Sequence, residues 1–249
     1  MPETFGKKSI ITSITDQRLV TTDDKGVIQT IAPTNIKDQI IGDIAPKLAL
    51  DNIMIMYHRK SDNYPLALKV GDWTSAQNSG EIADGVLVNN GDKWLVVAPT
   101  QGLCYWSSAA VSGGGVTTTD RVTAIADWAG KANTAAQITH DECSDAAYAP
   151  GFCAAYSRAN ANGNGLTAGK WWLPSVGEMM CIWANRDRIN YALSKISGAT
   201  QLELNWYWTS TEYSAALAWL LNLSNGYLNR WGNKAPFQDR VRPVSAFIS

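Results

Sequence analysis

The sequence predicts an α+β domain, and three observations carry that prediction. Asn90-Gly91 and Asn225-Gly226 each sit between apolar, strand-like runs, which is the strongest short-range hairpin signal. Ser175-Val-Gly-Glu178 has the pattern of a helix start and leads into apolar residues at helical spacing. Of the 11 Trp, those from Trp171 onward crowd a C-terminal half with few helix signals, so its core is expected to form from a few large rings.

Composition bounds the function. A chain of 249 residues is one large domain or one domain with a smaller element, and it can bury a core without external staples. An apolar content of 45% excludes disorder as the main state. Basic and acidic residues nearly balance, 21 against 22, so the positive excess that grips a phosphate backbone is missing and no nucleic-acid partner is expected. Apolar runs such as Ile53–Tyr57 are too short to span a bilayer, so membrane insertion is not expected either. The stretch Met1–Ser9 has no basic segment followed by an apolar one, and no secretory signal is expected. Cys104, Cys143, Cys153 and Cys181 form no CxxC pair, which argues against zinc. Cys143 and Cys153 are close enough in sequence to close a small loop, but free thiols are the expectation for a chain without an export signal.

The elements follow in order. Residues 1–50 read as short polar strands, Ser9–Ile14 and Lys25–Ile31, then a helix-like spacing of Ile36, Ile40, Ile41 and Ile44. They form an N-terminal extension, either packed on the main domain or serving oligomerisation or docking. Ile53–Tyr57, Gly85–Val88 and Lys93–Ala98 are strands, the last two joined at Asn90-Gly91. Residues 112–119 are a loop. Asp120 can cap a helix carrying Val122, Ile125 and Ala129 that stops at Gly130. A short helix is expected over Cys153–Arg158, an Asn/Gly-rich loop over Ala159–Gly169, and a strand over Trp171–Leu173. The helix opened by Ser175 continues through Ile182 and Trp183, and a second apolar stripe carries Ile189, Leu193 and Ile196. Beyond Gly198 only strands are expected.

Trp206–Ser210, Ala218–Ser224 and Tyr227–Trp231 are three such strands. A two-residue turn at Asn225-Gly226 would pair Ser224 with Tyr227, Leu223 with Leu228, Asn222 with Asn229 and Leu220 with Trp231. Alternation then puts Trp219, Leu221, Leu223 and Leu228 on a core face. Leu220, Asn222, Tyr227, Asn229 and Trp231 fall on the other face, which mixes apolar, amide and aromatic groups like neither a core nor a solvated surface. Arg230 lands on the core side, so the pairing is expected to drift there.

Several strings together resemble one family: Gly130-Lys-Ala-Asn-Thr134, Trp171-Trp-Leu-Pro-Ser175 with Glu178, Tyr207-Trp-Thr-Ser-Thr-Glu-Tyr213, Ala218-Trp219, Ser224-Asn-Gly226, Asn233-Lys234 and Val241-Arg-Pro-Val244 with Phe247. It is the variable proteins of diversity-generating retroelements, in the branch found in gut bacteria and their phages. The resemblance covers roughly residues 120–249, with weaker similarity back to about residue 50. It implies a C-type-lectin-like fold, in the variant related to formylglycine-generating enzymes, for residues 51–249, with a variable region at about 207–247. It also implies that template adenines are randomised at asparagine codons, which cannot yield Trp, Gln, Lys, Met or Glu. The implied ligand-binding positions are Ala216, Leu217, Leu220, Asn222, Tyr227, Asn229, Arg230, Gly232, Ala235, Pro236 and Phe237, with Ala215 and Asp239 marginal. Trp231, Lys234 and Gln238 are unreachable by that mutagenesis and belong to the scaffold, although Trp231 can still touch ligand.

Catalytic readings are weaker. His140-Asp-Glu-Cys143 fits no metal template, and no Gly-x-Ser-x-Gly elbow exists. The cysteines match no formylglycine-generating motif. Ala235-Pro-Phe and Trp231-Gly-Asn lack the carboxylates of calcium-dependent lectins, so no metal and no cofactor are expected. The expected function is non-enzymatic binding of a host cell-surface protein or glycan by a phage tail protein, with the bacterial cell surface as the alternative location. A homo-oligomer, a trimer by analogy with a known phage tropism determinant, goes with that reading. The alternative function is a calcium-independent carbohydrate-binding module or a degenerate relative of formylglycine-generating enzymes.

Overall fold

The computed structural model describes residues 52–247 apart from residue 92, together with the backbone of two earlier strands, β1 (Leu19–Thr22) and β2 (Ile28–Ile31). The chain divides into two compact units, Met1–Asp51 and Asn52–Ser249. In the first unit β1 and β2 pair antiparallel, and β2 falls within the expected Lys25–Ile31 strand. The expected Ser9–Ile14 strand and Ile36–Ile44 helix lie outside the described residues.

The second unit is α+β. Its strands are β3 (Ile53–His58), β4 (Pro65–Lys69), β5 (Ala83–Asn90), β6 (Lys93–Val97), β7 (Gly102–Tyr105), the short pair β8 (Arg158–Ala159) and β9 (Gly165–Leu166), β10 (Trp206–Glu212), β11 (Leu217–Asn222), β12 (Leu228–Asn233), β13 (Gln238–Val241) and β14 (Val244–Ala246). They build two five-stranded sheets, ordered β14-β6-β5-β3-β4 and β12-β11-β10-β13-β7. The first is antiparallel throughout; in the second, β13 runs parallel to β10.

Helix α1 (Trp73–Asn78) follows β4, and four short helices fill the middle of the chain: α2 (Arg121–Ala126), α3 (Gly130–Gln137), α4 (Asp141–Ser144) and α5 (Ala149–Ala155). Then come α6 (Val176–Ala184) and α7 (Arg186–Leu193). Helix α7 packs on β3 and β5, and α6 on β10 and β11, so this helix pair joins the two sheets. The largest cluster of buried side chains therefore draws on both sheets and both helices, including Ile55, Val86, Ile182, Ile189, Tyr207, Trp219 and Leu221.

The Ser175 helix starts as expected. The capping box forms, with the Ser175 N–H donating to Glu178 Oε2 at 2.8 Å, and the Ser175 hydroxyl also donates to the Asp127 carbonyl at 2.7 Å. The helix capped by Asp120 is shorter than expected. Asp120 does accept the Thr123 N–H at 2.7 Å, but the helix ends at Ala126 because Asp127 adopts an extended backbone and accepts the Ala129 N–H. Gly130 thus begins α3 rather than ending α2. A Cβ there would lie 2.0 Å from Glu178 Oε2 and 2.8 Å from the Trp172 ring, so close packing demands the glycine. The helix expected at Cys153–Arg158 sits earlier, at Ala149–Ala155. The expected Trp171–Leu173 strand reduces to a single bridge between Trp172 and Val244.

The β11–β12 hairpin corrects the expected register. Leu221 pairs with Leu228 and Leu220 with Asn229. The Asn222 N–H donates to the Tyr227 carbonyl at 3.0 Å, closing a four-residue loop in place of the two-residue turn. The reason is local and tertiary at once. Asn222 Oδ1 accepts from the Ser224 N–H and hydroxyl, forming an Asx turn. Leu223 is meanwhile drawn wholly into the core. Further along, Ala218 pairs with Gly232, so Arg230 and Trp231 together stand opposite Trp219. This is a β-bulge, and it lies where the alternation had put Arg230 on the wrong face.

Leu220 is the second correction. It is 6% exposed and belongs to another core, with Trp106, Cys143, Leu173, Trp208 and Val241, on the opposite side of the sheet. Both faces of β11 are therefore buried, and Leu220 is not displayed. Gly232 is also buried.

Candidate functional site: the rim of the second sheet

The platform beneath the rim is a polar network that uses the residues of the recognised strings. Asp127 Oδ2 accepts from Asn133 Nδ2 at 2.9 Å and from the Thr211 hydroxyl at 2.7 Å. Asn133 Oδ1 accepts the Val116 N–H, and Gln137 Nε2 donates to the Ser210 carbonyl. Glu212 accepts the N–H groups of Gly113 and Gly115 with its two oxygens, which ties the 112–119 loop to β10. Lys234 Nζ donates to Glu212 Oε2 at 2.5 Å and to the Val111 carbonyl at 2.7 Å. It also lies 4.0 Å from the Trp106 ring centroid. Both members of this ion pair are wholly buried, and desolvation pulls the Lys234 ammonium below its ordinary pKa. The Lys234 and Glu212 charges are paired with each other and hydrogen-bonded to the chain, which is the condition under which buried charge is tolerated, while Gln137 Oε1 is left without a hydrogen-bond partner.

Trp219 is buried, as its place in the hairpin demands, and its indole donates to the Thr118 carbonyl at 3.0 Å. Its ring partner is Tyr213, edge-on at 5.3 Å. Trp208 belongs to the opposite core, with its indole donating to the Cys104 carbonyl.

Above this platform lie the residues expected to bind ligand. Ala216, Tyr227, Arg230, Trp231, Pro236 and Phe237 are exposed; Leu217, Asn222, Asn229 and Ala235 are half-buried. Of the marginal positions, Ala215 is exposed and Asp239 half-buried, where desolvation lifts its carboxyl to about 6. Leu220 and Gly232 do not reach this surface. A Cβ on Gly232 would come within 2.5 Å of the Trp208 ring and 2.6 Å of the Ala218 carbonyl oxygen, so the position cannot take a side chain without displacement. Trp231 is 64% exposed and Phe237 56%, large values for rings on a folded surface.

A cleft of about 260 Å³ opens between the hairpin and the start of α2. It is lined by Thr119, Arg121, Trp219, Tyr227, Asn229 and Arg230, with Leu228 and Trp231 completing the wall. Arg121 Nη2 donates to the Leu228 carbonyl at 3.1 Å, and its guanidinium lies 5.9 Å from the Tyr227 ring centroid. The Arg230 guanidinium lies 5.1 Å from the Trp231 centroid and 6.0 Å from that of Tyr213. Trp206 meets Tyr227 edge-on at 6.0 Å. Thr119, Arg121 and Tyr213 were not identified from the sequence. Asp120 fixes Arg121 at the first position of α2, but its approach to β12 spans more than a hundred residues of chain and leaves no local signal.

The other expected chemistry can be placed too. All four cysteines are buried free thiols, and desolvation pushes Cys143 up to about 12 and Cys104 and Cys181 up to about 11, so they stay protonated at neutral pH. Among the described residues, no group of three or more His, Cys, Asp or Glu side chains is placed to hold a metal ion, and no helix is long and apolar enough to cross a membrane.

No protein-family model matches the chain, and no curated protein matches it. A solved structure with partial likeness is a fimbrial protein from Bacteroides ovatus ATCC 8483, at a TM-score of 0.41 and 12% identity. The match covers 61% of this chain and 35% of that one, so this chain spans about a third of its length. At that level the likeness carries neither fold nor function.

Proposed function

We propose that the chain is a non-enzymatic receptor-binding protein that displays variable side chains from a C-type-lectin-like scaffold, as in the variable proteins of diversity-generating retroelements. Its target is a host cell-surface protein or glycan, and its place is a phage virion, with the bacterial cell surface as the alternative. The observation that supports this reading is the partition within residues 213–239. The positions open to adenine mutagenesis are exposed or half-buried apart from Leu220 and Gly232; of the unreachable residues, Trp219 and Lys234 are buried beneath them, while Trp231 and Gln238 are exposed beside them as fixed members of the same rim. A diversified surface needs this arrangement, because side chains that change freely must carry little folding energy.

Two measurements test it. Sequencing the locus should find a template repeat whose adenines fall on the codons of the exposed positions and spare those of Leu220 and Gly232. A locus with no template repeat and no reverse transcriptase contradicts the retroelement reading. The purified protein should adsorb to susceptible cells, and Tyr227→Ala should abolish adsorption; adsorption that is indifferent to every rim substitution contradicts the binding reading.

A further inference from the structure

We infer that the cleft between the hairpin and α2 is an acidic-sugar site, in which Arg121 and Arg230 hold the carboxylate of one sugar ring while Tyr227 and Trp231 pack its faces. This rests on the receptor-binding reading and names its ligand class.

Charge is the first argument. Two arginines line one small cleft, and no acidic residue does. Among the described residues neither arginine forms an ion pair. Asp120, next to Arg121 in the chain, spends one carboxylate oxygen on both the N–H and the hydroxyl of Thr123 at 2.7 Å each. Arg121 gives one donor to the Leu228 carbonyl, which fixes the guanidinium at the cleft wall and leaves its other N–H groups free. Arg230 is held by ring stacking alone, so its edge donors are open as well. Planar forks with free edges match a carboxylate in bidentate fashion.

Shape and polarity select a sugar over a protein segment. The volume of about 260 Å³ lies just below the range of drug-sized pockets, so it suits a single ring. Its walls are mostly polar and add the Thr119 hydroxyl and the Asn229 amide, groups that bond to hydroxyls. The exposed Trp231 and Tyr227 rings at the mouth supply apolar faces for the C–H side of a pyranose. Arg121 lies outside the variable region, so the site pairs one fixed anchor with changeable neighbours.

The test is an NMR titration of the full chain with sodium glucuronate, glucose and N-acetylglutamate amide. The indole N–H signal missing in Trp231→Phe identifies the reporter. Glucuronate should shift that signal saturably, and glucose should bind at least about tenfold more weakly, roughly the 1.4 kcal/mol expected of a lost charge-assisted contact. Arg121→Gln and Arg230→Gln should each weaken glucuronate about tenfold at unchanged melting temperature, and Arg121→Lys should restore only part of the loss. Added salt should weaken binding. Equal binding of glucose, or no shift with glucuronate, overturns the inference. A shift with N-acetylglutamate amide but none with glucuronate also overturns it and assigns the cleft to an acidic peptide. If glucuronate fails while Tyr227→Ala still abolishes cell adsorption, this inference falls and the receptor-binding reading stands. If glucuronate binds while adsorption ignores Tyr227→Ala, the sugar site stands and the receptor-binding reading falls.

Discussion

Lys234 and Phe237 are three residues apart in the chain, and their surroundings differ in every respect that governs mutation. Lys234 is wholly buried, with its ammonium shared between Glu212, the Val111 carbonyl and the Trp106 ring. Phe237 is more than half exposed. The same contrast runs along β12, where buried Leu228 and Gly232 flank exposed Arg230 and Trp231. Energy of folding is thus concentrated in a layer that changes badly, and the rim above it holds little. The bulge at Arg230–Trp231 makes this possible, because it lifts two consecutive side chains out of the sheet and returns Gly232 to register with Ala218.

The contrast can be broken most forcefully from below. Glu212→Ala leaves Lys234 buried without its carboxylate and should cost about 3–5 kcal/mol. Trp219→Ala should cost a similar ~3–5 kcal/mol through lost transfer energy and an unfilled cavity. Denaturant titration reads both, and a loss under 1 kcal/mol in either would mean that the buried layer does not anchor the sheet.

Glu178 sharpens the comparison through pH. Burial lifts its carboxyl to about 7, with the Asp127 charge adding to the rise and the bonds from Ser175 and Trp172 opposing it. A carboxyl with a raised folded pKa holds its proton longer in the folded state than in the unfolded one. Its contribution therefore favours folding below about pH 4.5 and is lost as pH rises through about 7, to the extent of roughly 3 kcal/mol. Stability should rise on mild acidification from pH 8 to pH 5, and Glu178→Gln should flatten that slope. A wild-type profile that falls over the same window would contradict the burial assigned to this group.

Gly232→Ala tests the boundary between the regions. Its Cβ must displace the Trp208 ring or the Ala218 carbonyl, for an overpacking cost of about 1–3 kcal/mol. Tyr227→Ala and Phe237→Ala, only a few residues away, should stay within about 0.5 kcal/mol in thermal melting while losing adsorption to susceptible cells.

Much of the buried layer was legible in the sequence, and the reason is local chemistry. Ser175 with Glu178, Asp120 before an apolar stripe and Asn90-Gly91 each report on contacts within a few residues: both caps form, and the β5–β6 hairpin forms with Asn90 inside the ladder, paired with Lys93. Alternation also separated the two faces of β11 correctly. What it could not report is what covers the second face. Leu220 belongs to one buried cluster with Trp106, Cys143 and Leu173, which come from distant parts of the chain, so a face that reads as mixed in sequence is a second core. The hairpin register failed for a related reason: burial of Leu223 and the Asn222 Asx turn outweighed the Asn-Gly signal. Arg121 left no trace at all, because its role depends on a carbonyl of β12.

The most direct test of the central claim randomises Ala216, Tyr227, Arg230, Pro236 and Phe237 together and measures the folded fraction of unselected clones. A second library does the same at Glu212, Trp219, Leu220, Gly232 and Lys234. The account predicts that most members of the first library melt cooperatively near the parent temperature while almost none of the second fold. Comparable folded fractions in the two libraries would contradict it.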